Sequence, residues 1–86
     1  MKLKRYVAVS ESGVLFNAST GDSFSVNPVA VKIIEMIKQE LNEDGILQSM
    51  YELYEVDRDR LSQDYFDFIG HLKQLNLLEN DGEGTH

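Results

Sequence analysis

The chain contains no cysteine, no tryptophan, a single proline and only two histidines among its 86 residues. Without thiols there is no disulfide, no thiolate zinc site and no ligand set for an iron–sulfur cluster. That composition suits a reducing compartment, and the cytoplasm is the expected location. Positive charge is scarce as well, with 8 Lys and Arg against 15 Asp and Glu for a net charge of −7. Long apolar runs are missing: none approaches the ~20 residues of a membrane span. The basic start Met1-Lys2-Leu3-Lys4-Arg5 is followed by an apolar run, Tyr6 to Val9, that is too short for a secretory segment. No membrane partner is expected.

Eighty-six residues make one small domain with one modest core, expected over residues 1–79, with a polar, mobile tail over 80–86. The charge is unevenly placed. Residues 1–38 hold five basic and three acidic side chains, whereas residues 39–86 hold three basic and twelve acidic ones. A polyanion such as DNA is repelled by the second half.

Chain order gives the architecture. Tyr6 to Ser10 reads as a first strand, Glu11-Ser12-Gly13 as a turn, and Val14 to Asn17 as a second strand. Ala18 to Asp22 has the small polar residues and glycine of a hairpin loop, which returns the chain to a third strand at Phe24 to Val26. Phe24 and Val26 alternate with Ser23 and Ser25, as in a half-buried strand. Asn27 and Pro28 then suit the cap and first position of a helix. Its stripe is Val29, Ile33, Ile37 and Leu41, and Asn42 to Gly45 is expected to end it.

A second helix carries Ile46, Leu47, Met50, Leu53 and Tyr54, with Val56 tucked in after it. The third runs from about Arg60 to Leu75, either Asp57 or Asp59 serving as its cap. Leu61, Tyr65, Phe68, Ile69, Leu72 and Leu75 form one arc of this helix and Phe66 lies to the side, while Leu77 and Leu78 return to the core. The expected fold is therefore α+β and winged-helix-like: a three-stranded antiparallel β-meander followed by three helices.

Chemistry is hard to place on this chain. His71 and His86 have no second imidazole or thiol at ligand spacing, and Asp67 with His71 makes an incomplete metal site. Asp57-Arg58-Asp59 and Asp64 lack the calcium-loop frame. The serines have no strand–turn–helix elbow, and Gly21 belongs to no phosphate-binding pattern. Neither an enzyme nor a cofactor is expected. A winged-helix transcription regulator fits the element order, but Asp57, Asp59, Asp64 and Asp67 stand where a DNA-reading helix needs cations. No nucleic-acid partner is expected.

What remains is capture of an extended peptide by strand addition, in which main-chain hydrogen bonds give affinity and side-chain pockets give specificity. The third strand is an edge of the meander. On the third helix, Tyr65, Phe66 and Ile69 offer a floor for the adjoining groove; core packing is the better reading for Tyr65, Phe68 and Leu72, and for Phe66 the two readings stand even. A small structural subunit that dimerises through the same edge is a further alternative.

From Val14 to Leu78 the sequence resembles the PqqD-like family, the peptide-binding modules also called RiPP recognition elements. The resemblance lies in the strand pair around Thr20-Gly21, Val26-Asn27 before a helix with Ala30 and Ile33-Ile34, and the short helix through Leu53. It continues in Asp64-Tyr65 with Phe68, Ile69 and Leu72, and in the closing Asn76-Leu77-Leu78. One departure is Asn42 to Gly45, where the family often places Thr or Ser before its second helix. The resemblance implies a chaperone-like module that holds the leader of a ribosomally made precursor peptide and presents it to a modifying enzyme, often a radical SAM protein. It points to Ser23, Phe24, Ser25 and Val26 as the pairing edge, and to Asp64, Tyr65, Phe68 and Ile69 on the helix.

Overall fold

The computed structural model describes residues 1–79, so the expected tail over 80–86 lies outside the described residues. Strands β1 (Val7–Val9), β2 (Val14–Asn17) and β3 (Asp22–Ser25) are followed by helices α1 (Pro28–Lys38), α2 (Glu43–Leu53) and α3 (Arg58–Gln74). The sheet is antiparallel in the order β1-β2-β3, which gives the α+β, winged-helix-like arrangement. Val9, Leu15 and Phe24 lie side by side across it, and the neighbouring row is Ala8, Phe16 and Ser23. Leu15 is buried at 1 % exposure, whereas Val14 and Phe16 are each 41 % exposed. One face of the sheet is therefore core and the other open, as strand alternation requires.

Two glycines make the meander possible. Gly13 turns β1 into β2 at φ 96°, and Gly21 closes the second hairpin at φ 82° while its N–H donates to Asn17 O at 2.8 Å. Both angles lie in the left-handed region that L side chains avoid.

Asn27 caps α1, its Oδ1 accepting from Ala30 N at 2.8 Å, with Pro28 in the first helical position. Asn27→Ala is expected to lower stability by about 1 kcal/mol, read from a urea unfolding midpoint. The helix ends at Lys38, three residues short of Leu41. Glu40 takes φ 64°, Glu40 N donates to Ile37 O and Leu41 N to Met36 O, which is the six-to-one closure of a Schellman cap. Asn42 to Gly45 consequently opens the next helix instead of closing this one. Asn42 Oδ1 accepts from Gly45 N at 2.8 Å and caps α2.

Asp57 occupies the cap position of α3 but makes no side-chain cap bond. At the far end Asn76, at φ 61°, repeats the Schellman closure through Asn76 N to Lys73 O and Leu77 N to Leu72 O.

The core joins Val7 and Leu15 of the sheet to Ile33, Ile34, Met36 and Ile37 of α1, Ile46 and Met50 of α2, and Leu61, Tyr65, Ile69 and Leu72 of α3. Leu77 and Leu78 close it, as their spacing implied. Leu53 and Val56 do not join: they are 55 % and 53 % exposed. Leu53 is the last residue of α2, and Val56 sits in the short link between α2 and α3. The N-terminus carries a tie that periodicity did not indicate. Leu3 bridges Leu78 antiparallel, with Lys4 N donating to Leu77 O and Glu79 N to Lys2 O, so the chain's first residues clamp the segment that follows α3.

Candidate peptide-binding edge and groove

Backbone direction decides what the third strand offers. Val26 N–H donates to Gly13 O at 2.8 Å, so Val26 turns its backbone groups toward β2. In an antiparallel ladder this sense alternates along the strand. Phe24 therefore also faces β2, its Cα partner being Leu15, and the N–H and C=O of Ser23 and Ser25 face away from the sheet. Among the described residues no strand lies on that side in the order β1-β2-β3. The side chains divide in the perpendicular sense. Phe24 and Val26 are partly buried against the core cluster, and Ser23 and Ser25 are exposed.

Beside this edge runs α3. Between them lies a groove of about 450 Å³ lined by Phe24, Ser25 and Val26 on one side and Phe68, His71, Leu72 and Leu75 on the other. Leu15 and Ala30 also contribute, and Asn27 closes the end where α1 begins. The α3 residues are spaced 3, 1 and 3 apart, which places them on one helical face. A second cavity of about 780 Å³ adjoins the first, since Asn27, Ala30, Phe68 and His71 line both. It extends between α1, the end of α2 and the first half of α3, and its lining includes Met50, Tyr54, Val56, Leu61 and Tyr65.

The residues singled out in the sequence fall into three groups. Phe24, Ser25, Val26 and Phe68 surround the first groove, and Ser23 lies on the same edge one turn of the pleat away. Asp64 and Tyr65 line the second cavity together with Phe68. Ile69, at 4 % exposure, is committed to the core and lines neither. Phe66 lines neither either; it stands 49 % exposed with its ring edge-on to Tyr65 at 5.1 Å.

Sequence reasoning passed over Leu72 and Leu75 as groove residues and weighed His71 only as a metal ligand. Their signal was present: continuing the Phe68 face toward the C-terminus of α3 at helical spacing reaches all three.

Tyr65 is fully buried at 0 % exposure, and its hydroxyl donates to Glu43 Oε2 at 3.4 Å. Burial, reinforced by the Glu43 carboxylate, pushes the phenol well above its usual range. The group stays protonated at neutral pH and serves as a hydrogen-bonded part of the floor. Among the described residues no cluster of three or more His, Asp or Glu is placed to hold a metal ion. No helix among them is long and apolar enough to cross a membrane.

Residues 12–78 match the family model for coenzyme PQQ synthesis protein D, PqqD. The chain belongs to the PqqD family. Its departure at Asn42 to Gly45 leaves the second helix in place, because Asn42 supplies the cap oxygen that Thr or Ser would.

Two solved structures share the PqqD-family fold seen here along nearly their whole length. TbiB1 in complex with the TbiA(beta) leader peptide is 26 % identical with a TM-score of 0.81, over 93 % of this chain and 96 % of that one. Lasso peptide synthetase B1 complexed with the leader peptide is 20 % identical with a TM-score of 0.77, over 92 % and 96 %. No curated protein sequence matches this chain.

Proposed function

We propose that this PqqD-family chain is a non-enzymatic adaptor that captures the leader of a ribosomally synthesised precursor peptide and presents it to a separate modifying enzyme. That enzyme is of the radical SAM type, and the pair works in the cytoplasm. The leader adds as a fourth strand to β3, its backbone hydrogen-bonding Ser23 and Ser25. Its alternate side chains enter the groove between Phe24 and Val26 on the strand and Phe68 on the helix. Asp64 and Tyr65 serve the continuation of that groove, while Phe66 and Ile69 support the helix from outside and inside.

The observation that carries the reading is the free edge of β3 lying alongside an apolar groove: two residues with outward N–H and C=O groups, next to a lined trough. An exposed edge of that kind is a template for another strand. The leader peptide bound to TbiB1 supports the choice of partner. Holding a peptide needs no nucleophile.

Amide hydrogen exchange on the full chain tests the pairing. In the free protein the Ser23 and Ser25 amides are expected to exchange fast, and Phe24 and Val26 slowly because they are already bonded to β2. Adding a precursor leader peptide that binds the chain is expected to protect Ser23 and Ser25 selectively. Peptide binding that leaves both amides unprotected rejects the edge.

A further inference from the structure

The sheet edge stops abruptly at Asn27-Pro28, where α1 begins. A peptide strand paired to Ser23 and Ser25 finds no further backbone to bond beyond that point, so whatever is recognised there is recognised through side chains. At that end lies the larger cavity of about 780 Å³, continuous with the groove through Asn27, Ala30, Phe68 and His71. Its floor is apolar: Ile33, Met50, Leu61 and Tyr65 are buried, and Val29 and Phe68 are half-buried. The volume falls within the range of about 300–1,000 Å³ typical of ligand pockets, enough for more than one large side chain.

Its rim is charged with one dominant sign. Asp57, Asp64 and Asp67 line it against Arg60, beside His71. All are exposed, and none forms an ion pair with a described residue. Arg60, Asp64, Asp67 and His71 are spaced 4, 3 and 4 apart, so they form one stripe along the cavity side of α3.

An apolar floor under an acidic rim selects a segment with a large apolar side chain next to a cation. We propose that the cavity takes the continuation of the strand-paired peptide, and that it is selective for a lysine or arginine neighbouring a large apolar residue. Asp64 and Asp67 are the specificity-determining residues, and Arg60 acts against them. The inference rests on strand addition at β3 and adds to it the class of peptide that is chosen.

The test is selection from a random-peptide phage library on the immobilised full chain, followed by fluorescence polarisation with the recovered peptides resynthesised. Recovered sequences are expected to be enriched in lysine or arginine beside a large apolar residue. Asp64→Asn with Asp67→Asn is expected to weaken them about fivefold at low salt. Arg60→Gln is expected to strengthen them about twofold. High salt removes both differences. Opposite responses from neighbours on one helix face are not the result of a general loss of structure.

Peptides that lose binding in Ser25→Pro but bind wild type and the Asp64/Asp67 variant alike overturn the cavity inference and leave strand addition standing. Failure of wild type to recover any peptide overturns both. Enrichment in acidic residues overturns the charge selection directly.

Discussion

Ser25→Pro is expected to weaken leader-peptide binding by at least about tenfold, with the far-UV circular dichroism and unfolding midpoint nearly unchanged. The asymmetry follows from where the Ser25 N–H points. Because Val26 N–H is spent on Gly13 O, the Ser25 N–H faces away from β2 and holds no sheet bond that proline would remove. Proline is tolerated at such a position on an edge strand, and it biases the preceding residue toward the extended region Phe24 already occupies. The free protein therefore loses little. The complex loses a main-chain donor and meets a pyrrolidine ring where the incoming strand must approach. A net hydrogen bond of about 1 kcal/mol and a comparable steric term together give tenfold or more. Phe24→Pro is the contrasting variant: its N–H faces β2, so it is expected to unfold the hairpin. Equal peptide affinity for wild type and a folded Ser25→Pro protein rules out the edge as the docking line.

Much of this arrangement is written in local patterns. The two-residue alternation of Ser23 to Val26 and the Asn27-Pro28 start place a strand directly before a helix, and the structure has both. The arc from Leu61 to Leu72 identified the buried face of α3, with Phe66 correctly left outside it.

Where periodicity failed, backbone geometry had the deciding say. Leu41 continues the stripe of α1 in sequence, yet Glu40 adopts a left-handed conformation and closes the helix before it. A glutamate carries no propensity that announces such a turn, whereas a glycine would have. Asn42 was then misassigned to an ending when it is a beginning, since asparagine serves at either end of a helix. Leu53 and Val56 show the complementary limit. They are apolar and continue the spacing of a helical face, but α2 ends at Leu53 and Val56 lies beyond it, and both stay more than half exposed.

The direction of the edge amides was illegible for a different reason. It depends on the pairing register of β2 with β3, a long-range fact that a single strand's sequence does not carry. The second cavity was illegible because it forms between three helices whose packing is not local. Asp64 and Tyr65 were found, but Arg60 and Asp67 gained their meaning only when the helices were brought together.

Gly13→Ala is expected to cost about 3 kcal/mol of stability and to disorganise the docking edge with it. A Cβ built on Gly13 would stand 2.7 Å from Val26 O and 3.8 Å from Val26 C, backbone atoms that cannot swing aside as a side-chain tip does. The residue also sits at φ 96°, where a Cβ carries a strain of about 1–2 kcal/mol by itself. The two terms act on one interaction. Gly13 O accepts the Val26 N–H bond that sets which backbone groups of β3 face outward, and relief of the clash requires pushing those strands apart. Stability and peptide affinity are therefore expected to fall together in this variant, in contrast to Ser25→Pro. Gly21→Ala separates strain from collision: at φ 82° it carries similar strain, but its added Cβ has no neighbour within 4 Å. Urea unfolding of the two variants side by side reads the difference. A Gly13→Ala protein no less stable than Gly21→Ala contradicts the close approach of the first turn to Val26, and with it the reason that β3 presents Ser23 and Ser25 outward.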